Sequence, residues 1–141
     1  MSGIRILQAS DDISRCFSLM ADLRPHLRED DFVARVQRQQ GNHGYRLAIL
    51  EEEGAVRAVA GYRIGESLAW GRFLYVDDLV TAASVRFRGY GQQLLDWLLA
   101  EARREGCEQL HLDSGVQRHP AHGFYLKNRL HITSHHFTRV L

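Results

Sequence analysis

The chain has 141 residues, of which 45% are hydrophobic and 25% are charged, a balance typical of one soluble globular domain. Eighteen Lys and Arg face 17 Asp and Glu, and a net charge of +1 argues against a basic surface for nucleic acid or anionic lipid. No apolar run approaches the roughly 20 residues of a membrane-spanning helix, and no signal segment opens the chain. These features predict a cytoplasmic protein.

The first third of the chain begins with a short strand and continues with two helices. Residues 4–7, IRIL, predict the strand because they are rich in β-branched side chains. Residues 10–12 are good helix N-cap types, and the apolar spacing after them predicts a helix that Pro25 ends. A second helix is predicted to start at Asp30 and to stop at Gly41.

The rest of the chain changes to a strand period and then alternates helix and strand. A turn at Gly54 joins the first two strand segments as a hairpin, and three successive strands with short turns predict an antiparallel meander. The predicted segments are strands 45–50, 56–64 and 69–81, a helix after Gly91 that Gly106 closes, strand 109–114, helix 121–128 and one or two strands in 131–141.

The order β-α-α-β-β-β-α-β-α-β, with a further strand as an option, predicts an α/β fold. The helix between the third strand of the meander and strand 109–114 predicts a parallel crossover. The expected architecture is a mixed, mostly antiparallel sheet flanked by helices.

The sequence RFRGYGQQLL, residues 86–95, joins a strand to a helix through a glycine-rich turn. The first N–H groups of a helix lack internal partners, and the helix dipole makes that end positive. Gly89 and Gly91 leave those groups accessible, and Arg86 and Arg88 add cationic forks suited to phosphate oxygens. The segment lacks the Walker and Rossmann spacings, so the alternatives are an anion site of another class or a plain helix entry.

This strand–turn–helix resembles the acetyl-CoA loop of the GNAT superfamily of N-acetyltransferases, Arg/Gln-x-x-Gly-x-Gly/Ala, in which the turn holds the CoA pyrophosphate. A second motif of that superfamily, A-x-x-F-Y-x-K-x-G-F, resembles AHGFYLKNRL. The matching residues are Arg86, Gly89, Gly91, Ala121, Phe124, Tyr125 and Lys127. The departures are Arg129 in place of glycine, Leu130 in place of phenylalanine, and Arg118 in place of an upstream asparagine.

The resemblance implies a single GNAT-like domain over residues 1–141 that transfers an acetyl group from acetyl-CoA to a primary amine, without a metal. The amine would attack the thioester directly. The residues implied to contact CoA are Leu79, Val80, Thr81, Arg86, Phe87, Arg88, Gly89, Tyr90, Gly91, Gln92 and Tyr125.

Three side chains are candidates for the proton transfers. Tyr125 is implied to donate to the departing CoA thiolate, since phenol and thiol pKa values are close; the alternative is a core aromatic. Asp77 and Asp78 are adjacent in a strand, so alternation predicts opposite faces, with one acid in the cleft as the base that takes the amine proton. Asp78 is favoured because it shares a face with Val76 and Val80, although a bulge would reverse this choice.

Other features leave the partners open. The eight histidines include His119-x-x-His122, but no Cys or Glu completes a familiar zinc spacing. RVQRQQ, residues 35–40, is interpreted as a solvated basic face rather than a nucleic-acid site. The expected acceptor is a small-molecule or peptide amine, no membrane or nucleic-acid partner is expected, and a homodimer is plausible. A non-catalytic acyl-CoA-binding or regulatory domain is the alternative function, against which the acid pair and Tyr125 both argue.

Overall fold

A five-stranded sheet, with its strands in sequential order β1-β2-β3-β4-β5, forms the centre of the fold. The computed structural model describes residues 2–85 and 88–141, so two predicted CoA contacts, Arg86 and Phe87, lie outside the described residues. The elements are β1 (Ser2–Leu7), α1 (Ser10–Ser14), α2 (Phe17–Leu23), α3 (Glu29–His43), β2 (Arg46–Glu52), β3 (Ala55–Ser67), β4 (Gly71–Thr81), a 3₁₀ turn (Ala83–Val85), α4 (Tyr90–Arg104), β5 (Gln109–Leu112) and α5 (His119–Lys127).

The predicted fold class is confirmed, since β1 to β4 form an antiparallel meander and helices flank the sheet. Three predictions about individual elements are wrong. The first predicted helix is two short helices, and α3 continues through Gly41 to end at His43. Gly44 follows as its C-cap, and its φ of 68° suits the left-handed closing position of a helix. Residues 131–141 contain no strand and are exposed throughout.

The two faces of the sheet are covered by different helices. Leu47 and Ile49 of β2 pack with the helices α1 to α3, whereas the alternate residues of β2 face α4. Because both faces are covered, residues 47–50 are all fully buried. The core under α1 to α3 comprises Leu7, Ile13, Cys16, Met20, Phe32, Val36, Tyr45, Leu47, Ile49 and Val59.

Buried polar groups fix α4 against its face of the sheet. Glu101 of α4 accepts hydrogen bonds from the Tyr62 hydroxyl of β3 at 2.5 Å and from Arg104 at 2.7 Å, and Arg46 lies 3.5 Å away. Burial alone raises the pKa of Glu101, but the bonds from Tyr62 and Arg104 lower it below its ordinary value. A directional bond of this kind sets the rotation of α4, and therefore the direction in which its first turn points.

The chain forms two compact units, residues up to 111 and residues 112–141. The second unit contains α5, which ends in a Schellman motif: Leu130 N–H bonds to Tyr125 O and Arg129 N–H bonds to Leu126 O, both at 3.0 Å. Arg129 has a φ of 68°, the left-handed conformation that glycine adopts most easily. The departure from the GNAT motif at Arg129 therefore preserves the turn with a less suitable residue. The single domain over 1–141 stays a prediction.

None of the helices within residues 2–85 and 88–141 is long and apolar enough to cross a membrane.

Candidate active site

A β-bulge in β4 places both candidate acids on one side of the sheet. Gly61 of β3 pairs with Asp78, but the next residue, Tyr62, pairs with Val76, so Asp77 is an extra residue in β4. The extra residue breaks the alternation of faces, and both Asp77 and Asp78 line the same cleft. The prediction that they face opposite sides is wrong for this reason, as is the prediction that Val76 shares the face of Asp78.

Asp78 is held by partners from two distant parts of the chain. Arg24, just after α2, donates from Nε to one carboxylate oxygen at 3.0 Å. The Tyr45 hydroxyl, at the start of β2, donates to the other oxygen at 2.8 Å. The Asp78 side chain is only 16% exposed, so these bonds fix it within the wall of the cleft.

Asp77 is held differently, by one arginine on the neighbouring strand. Arg63 of β3 donates from Nε and Nη2 to the two carboxylate oxygens, each at 2.8 Å. This bidentate geometry is the strongest form of the pair. Arg24 also donates to the Asp77 carbonyl oxygen at 2.8 Å, which ties the bulge to the end of α2.

Gly61 makes room for the Tyr45 hydroxyl. A Cβ at residue 61 would overlap that hydroxyl and the nearby ring atoms, so only glycine lets the phenol cross β3 to reach Asp78. Burial, followed by the charge and hydrogen bond of Asp78, raises the pKa of Tyr45 well above its ordinary value. Tyr45 is therefore a fixed hydrogen-bond donor to Asp78 and cannot serve as a base near neutral pH.

The cleft that Asp77 and Asp78 line has a volume of about 530 Å³ and lies between α3 and the β3–β4 pair. Its charged lining consists of four arginines and the two aspartates; the arginines are Arg24, Arg35, Arg38 and Arg63. The segment RVQRQQ was predicted to be a solvated basic face. Arg38 is exposed, as a solvated face requires, and two arginines of the segment, Arg35 and Arg38, also line this cleft one helical turn apart on α3.

The glycine-rich turn forms the start of α4. Gly89 is the N-cap residue with a φ of 81°, and a Cβ there would meet none of the described residues within 4 Å. No side chain among the described residues caps this helix end. The Tyr90 hydroxyl donates to Glu52 of β2 at 2.7 Å, a bond that raises the pKa of Tyr90 and anchors the first turn of α4 to the sheet.

The remaining predicted contacts in this region differ in exposure. Arg88 is exposed, while Gly91 and Gln92 are half-buried in the first turn of α4. Gln92 donates from its amide to Asp96, one turn further along, at 2.9 Å. The exposed guanidinium and the open space beside Gly89 therefore occur at the same helix end, as a phosphate site requires.

Leu79, Val80 and Thr81 end β4, and one residue separates them from the 3₁₀ turn that leads to the glycine-rich segment. Their pairing with β3 is complete, from Ala60 opposite Leu79 to Ala58 opposite Thr81. On the other edge, Glu108 N–H bonds to Arg72 O at 2.7 Å, so the chain entering β5 lies beside the first residues of β4. A strand of four residues starting there is too short to flank Leu79–Thr81.

Tyr125 lies on α5 in the second unit, half-buried and edge-on to the Phe124 ring at a centroid distance of 5.5 Å. Burial raises its pKa, against a smaller opposing effect of Arg118. The phenol therefore keeps its proton near neutral pH. On the same helix, His122 Nε2 bonds to Gly115 O at 2.7 Å, and in the described part of the chain no three His, Cys, Asp or Glu residues form a metal-binding group.

Comparison with protein families matches residues 8–129 to the acetyltransferase (GNAT) family. The chain belongs to this family. It is similar to the uncharacterized N-acetyltransferase YhdJ of Bacillus subtilis, with 34% identity over 125 residues, 89% of this chain and 88% of that protein. The prediction that this protein is an N-acetyltransferase is confirmed.

Two further relatives of this acetyltransferase act on different amines according to their names. The aminoalkylphosphonate N-acetyltransferase of Salmonella typhimurium is 35% identical over 66 residues, 47% of this chain and 43% of that protein. The solved structure of aminoglycoside N-acetyltransferase AAC(6')-Iy in complex with CoA has a TM-score of 0.83 at 16% identity, covering 100% of this chain and 95% of that one. The latter likeness shows the fold.

Sequence reasoning missed the residues that hold the two acids of the acetyltransferase: Arg24, Tyr45, Gly61 and Arg63. One signal was available, since an isolated glycine inside a strand pattern indicates a bulge or a close approach by another group. Gly61 in VRAVAGYRI marks both: the register shift follows it, and the Tyr45 hydroxyl lies against it. No comparable signal in the sequence links Arg24 to Asp78, 54 residues away.

Proposed function

We propose that this acetyltransferase uses acetyl-CoA and transfers the acetyl group to a primary amine. The observation that carries the proposal is the start of α4: an N-cap glycine with left-handed φ, open space beside it and an adjacent exposed arginine. Helix N-H groups, the helix dipole and Arg88 together favour a diphosphate at this position. The CoA complex of the aminoglycoside N-acetyltransferase supports the same choice of co-substrate.

The end of β4 would hold the pantetheine arm of CoA. Peptide groups of Leu79, Val80 and Thr81 on the edge away from β3 lie beyond the reach of β5, and an extended chain with amide groups can pair with such an edge. A free N–H on this edge would also stabilise the thioester oxygen as it gains negative charge. The bound co-substrate supplies a thioester, whose carbonyl carbon an amine can attack.

Asp78 would take the proton from the acceptor amine. Its two oxygens accept one hydrogen bond each from Arg24 and Tyr45, and a carboxylate has about four acceptor positions, so capacity remains for an ammonium or a bridging water. Asp77 has two bonds as well, but both come from one arginine, which holds its two oxygens in a bidentate pair. We therefore assign the base to Asp78 and a positioning role in the cleft to Asp77.

Tyr125 would donate a hydrogen bond to the CoA thiolate as the carbon–sulfur bond breaks. Burial raises its pKa, so the phenol keeps a proton for that bond. The role predicts that Tyr125→Phe lowers kcat while the Kd for acetyl-CoA stays within about threefold. An equal loss of binding would instead indicate that Tyr125 packs against the co-substrate.

Two measurements on the wild-type protein test the proposal in sequence. Calorimetric titration with acetyl-CoA should give saturable binding. An absence of heat would indicate that the turn only begins a helix and does not bind CoA. Release of free CoA, followed with a thiol reagent across a panel of primary amines, should then show turnover. Binding without turnover on any amine would favour the alternative, a non-catalytic acyl-CoA-binding domain.

A further inference from the structure

The charges in the cleft do not balance. Two of its four arginines, Arg24 and Arg63, are paired with the two aspartates. Among the described residues, Arg35 and Arg38 have no acidic group within 4.0 Å and donate no hydrogen bond to another side chain. Two positive charges therefore remain on the α3 side of a cleft that is otherwise neutralised.

The position of these two arginines is fixed by the packing of α3. Phe32 and Val36, which are 2% and 6% exposed, turn one face of the helix to the core. Arg35 lies between them in sequence and is half-buried, and Arg38 follows one turn later, where residues three apart are surface neighbours. Both residues line the cleft from α3, Arg35 half-buried and Arg38 exposed.

The opposite wall of the same cleft holds the acids. Asp77 and Asp78 lie on β4, and we have proposed that Asp78 takes the proton of the acceptor amine. The lining therefore has, on β4, carboxylate oxygens that can accept a hydrogen bond from an amine and, on α3, two arginines suited to an oxyanion. Guanidinium groups bind carboxylate, phosphate and phosphonate oxygens in forked, charge-assisted pairs.

We propose that the acceptor is a small primary amine that also carries an oxyanion, held by Arg35 and Arg38 while its amine faces Asp78. This inference rests on the proposed function and specifies its substrate class. A polycationic acceptor would place further positive charge against these two arginines, which disfavours it. His26, His43 and Gln39 also line the cleft and add further hydrogen-bonding groups.

The experiment compares amines that differ only in their second group. The panel is 2-aminoethylphosphonate, 2-aminoethyl phosphate, β-alanine, ethanolamine and ethylenediamine, each assayed by CoA release at saturating acetyl-CoA. We expect kcat/KM for the best oxyanion amine to exceed that for ethanolamine by at least about 100-fold, as lost charge-assisted bonds imply. The first three amines identify whether the oxyanion is a phosphonate, a phosphate or a carboxylate.

The variant is Arg35→Gln with Arg38→Gln, and the matched control is Arg103→Gln, an exposed arginine on α4 outside the cleft. The double variant should lower the ratio of kcat/KM between the best oxyanion amine and ethanolamine about 100-fold, mainly through KM, and the control should keep the ratio. Equal or faster turnover of ethanolamine or ethylenediamine by the wild type would overturn the inference while leaving the acetyltransferase proposal intact.

Direct binding separates the two proposals when turnover is absent. Titration of the CoA-saturated protein with 2-aminoethylphosphonate, 2-aminoethyl phosphate and β-alanine should show saturable heat for at least one, weakened in the double variant. If none of the three binds, or if the double variant binds equally well, the inference is wrong whatever the enzyme acetylates. If an oxyanion amine binds through these arginines but no amine in the panel is acetylated, the proposed function fails instead.

Discussion

The two ends of the candidate active site are built from different parts of the polypeptide. The turn at the start of α4 offers main-chain N–H groups, and its key residue, Gly89, contributes by having no side chain. The cleft under α3 offers side chains, each held by a partner from another element, as Asp78 is by Arg24 and Tyr45. A site made of main-chain N–H groups tolerates substitution of the surrounding side chains. A site made of side chains depends on every partner residue that positions them.

The difference also concerns charge. The turn relies on an uncompensated positive end of a helix, and Arg88 adds to it. In the cleft the aspartates are matched by Arg24 and Arg63, and only Arg35 and Arg38 remain in excess. The first arrangement suits the diphosphate that we propose for it, while the second suits the acceptor.

The largest expected effect comes from removing the charge in the cleft that faces the amine. Asp78→Asn keeps an oxygen for the Tyr45 hydroxyl but cannot take a proton, so we expect kcat/KM to fall about 1,000-fold, within the range of general base catalysis. The matched variant Asp77→Asn should cost no more than about tenfold, because Asp77 only positions Arg63. Initial rates of CoA release measure both, and the reverse order of effects would exchange the two roles.

The next effect tests the main-chain end. Gly89→Asp introduces a carboxylate about 5–6 Å from the expected diphosphate, which at an effective dielectric constant of about 20 costs about 3 kcal/mol, or at least a 100-fold loss of acetyl-CoA affinity. Gly89→Asn has the same shape and tolerates positive φ equally well, so it isolates the charge. Calorimetric Kd values for both decide the matter; equal affinities would mean that CoA binds elsewhere.

A third variant tests whether the cleft requires glycine at residue 61, as the turn requires it at residue 89. Gly61→Ala drives a methyl group into the Tyr45 hydroxyl, so we expect a loss of about 2–3 kcal/mol in the free energy of unfolding, as for other overpacked cores. Gly3→Ala is the control, since a Cβ at residue 3 of β1 meets nothing within 4 Å. Urea unfolding followed by circular dichroism compares them, and similar midpoints would refute the close approach.

The smallest effect extends the comparison to α5, where Arg129 stands at a position whose backbone conformation suits glycine. Arg129→Gly relieves a left-handed φ of 68° and should stabilise the end of α5 by about 0.5–1 kcal/mol. The Leu130 amide, which bonds to Tyr125 O, should then exchange with solvent about two- to fivefold more slowly. Lys127→Gly, in the last turn of the same helix, should accelerate that exchange; a slowing by both variants would exclude relief of strain at residue 129.

The contrast between main-chain and side-chain sites explains what the sequence could predict. The turn occupies consecutive residues, and its backbone geometry favours particular residue types. The sequence RFRGYGQQLL therefore predicts a tight glycine turn at the start of a helix, and Gly89 is the N-cap of α4. The acids Asp77 and Asp78 were also found, because charged residues in an apolar strand stand out. Their common face was not, because the bulge depends on how β3 pairs with β4.

Two features lay beyond what local sequence pattern can show. RVQRQQ has the composition of a solvated helix face, and nothing local reveals that a cleft forms beside it. Residues 131–141 contain several β-branched side chains, yet Ile132 and Phe137 are 78% and 91% exposed and no strand forms there. Strand propensity acts through neighbours on a sheet, which a single segment cannot specify.

The extra residue in β4 makes the second carboxylate separable from the first. With Asp77 absent, the cross-strand pairs on either side of it, Gly61 with Asp78 and Tyr62 with Val76, would follow one another in an unbroken ladder. A one-codon insertion into an ordinary hairpin is therefore enough to turn a cleft with a single acid into one with two. Deletion of that codon would leave Arg63 without its counter-ion. The number of unpaired arginines in the cleft would then change in one step, and we expect the range of acceptor amines to change with it.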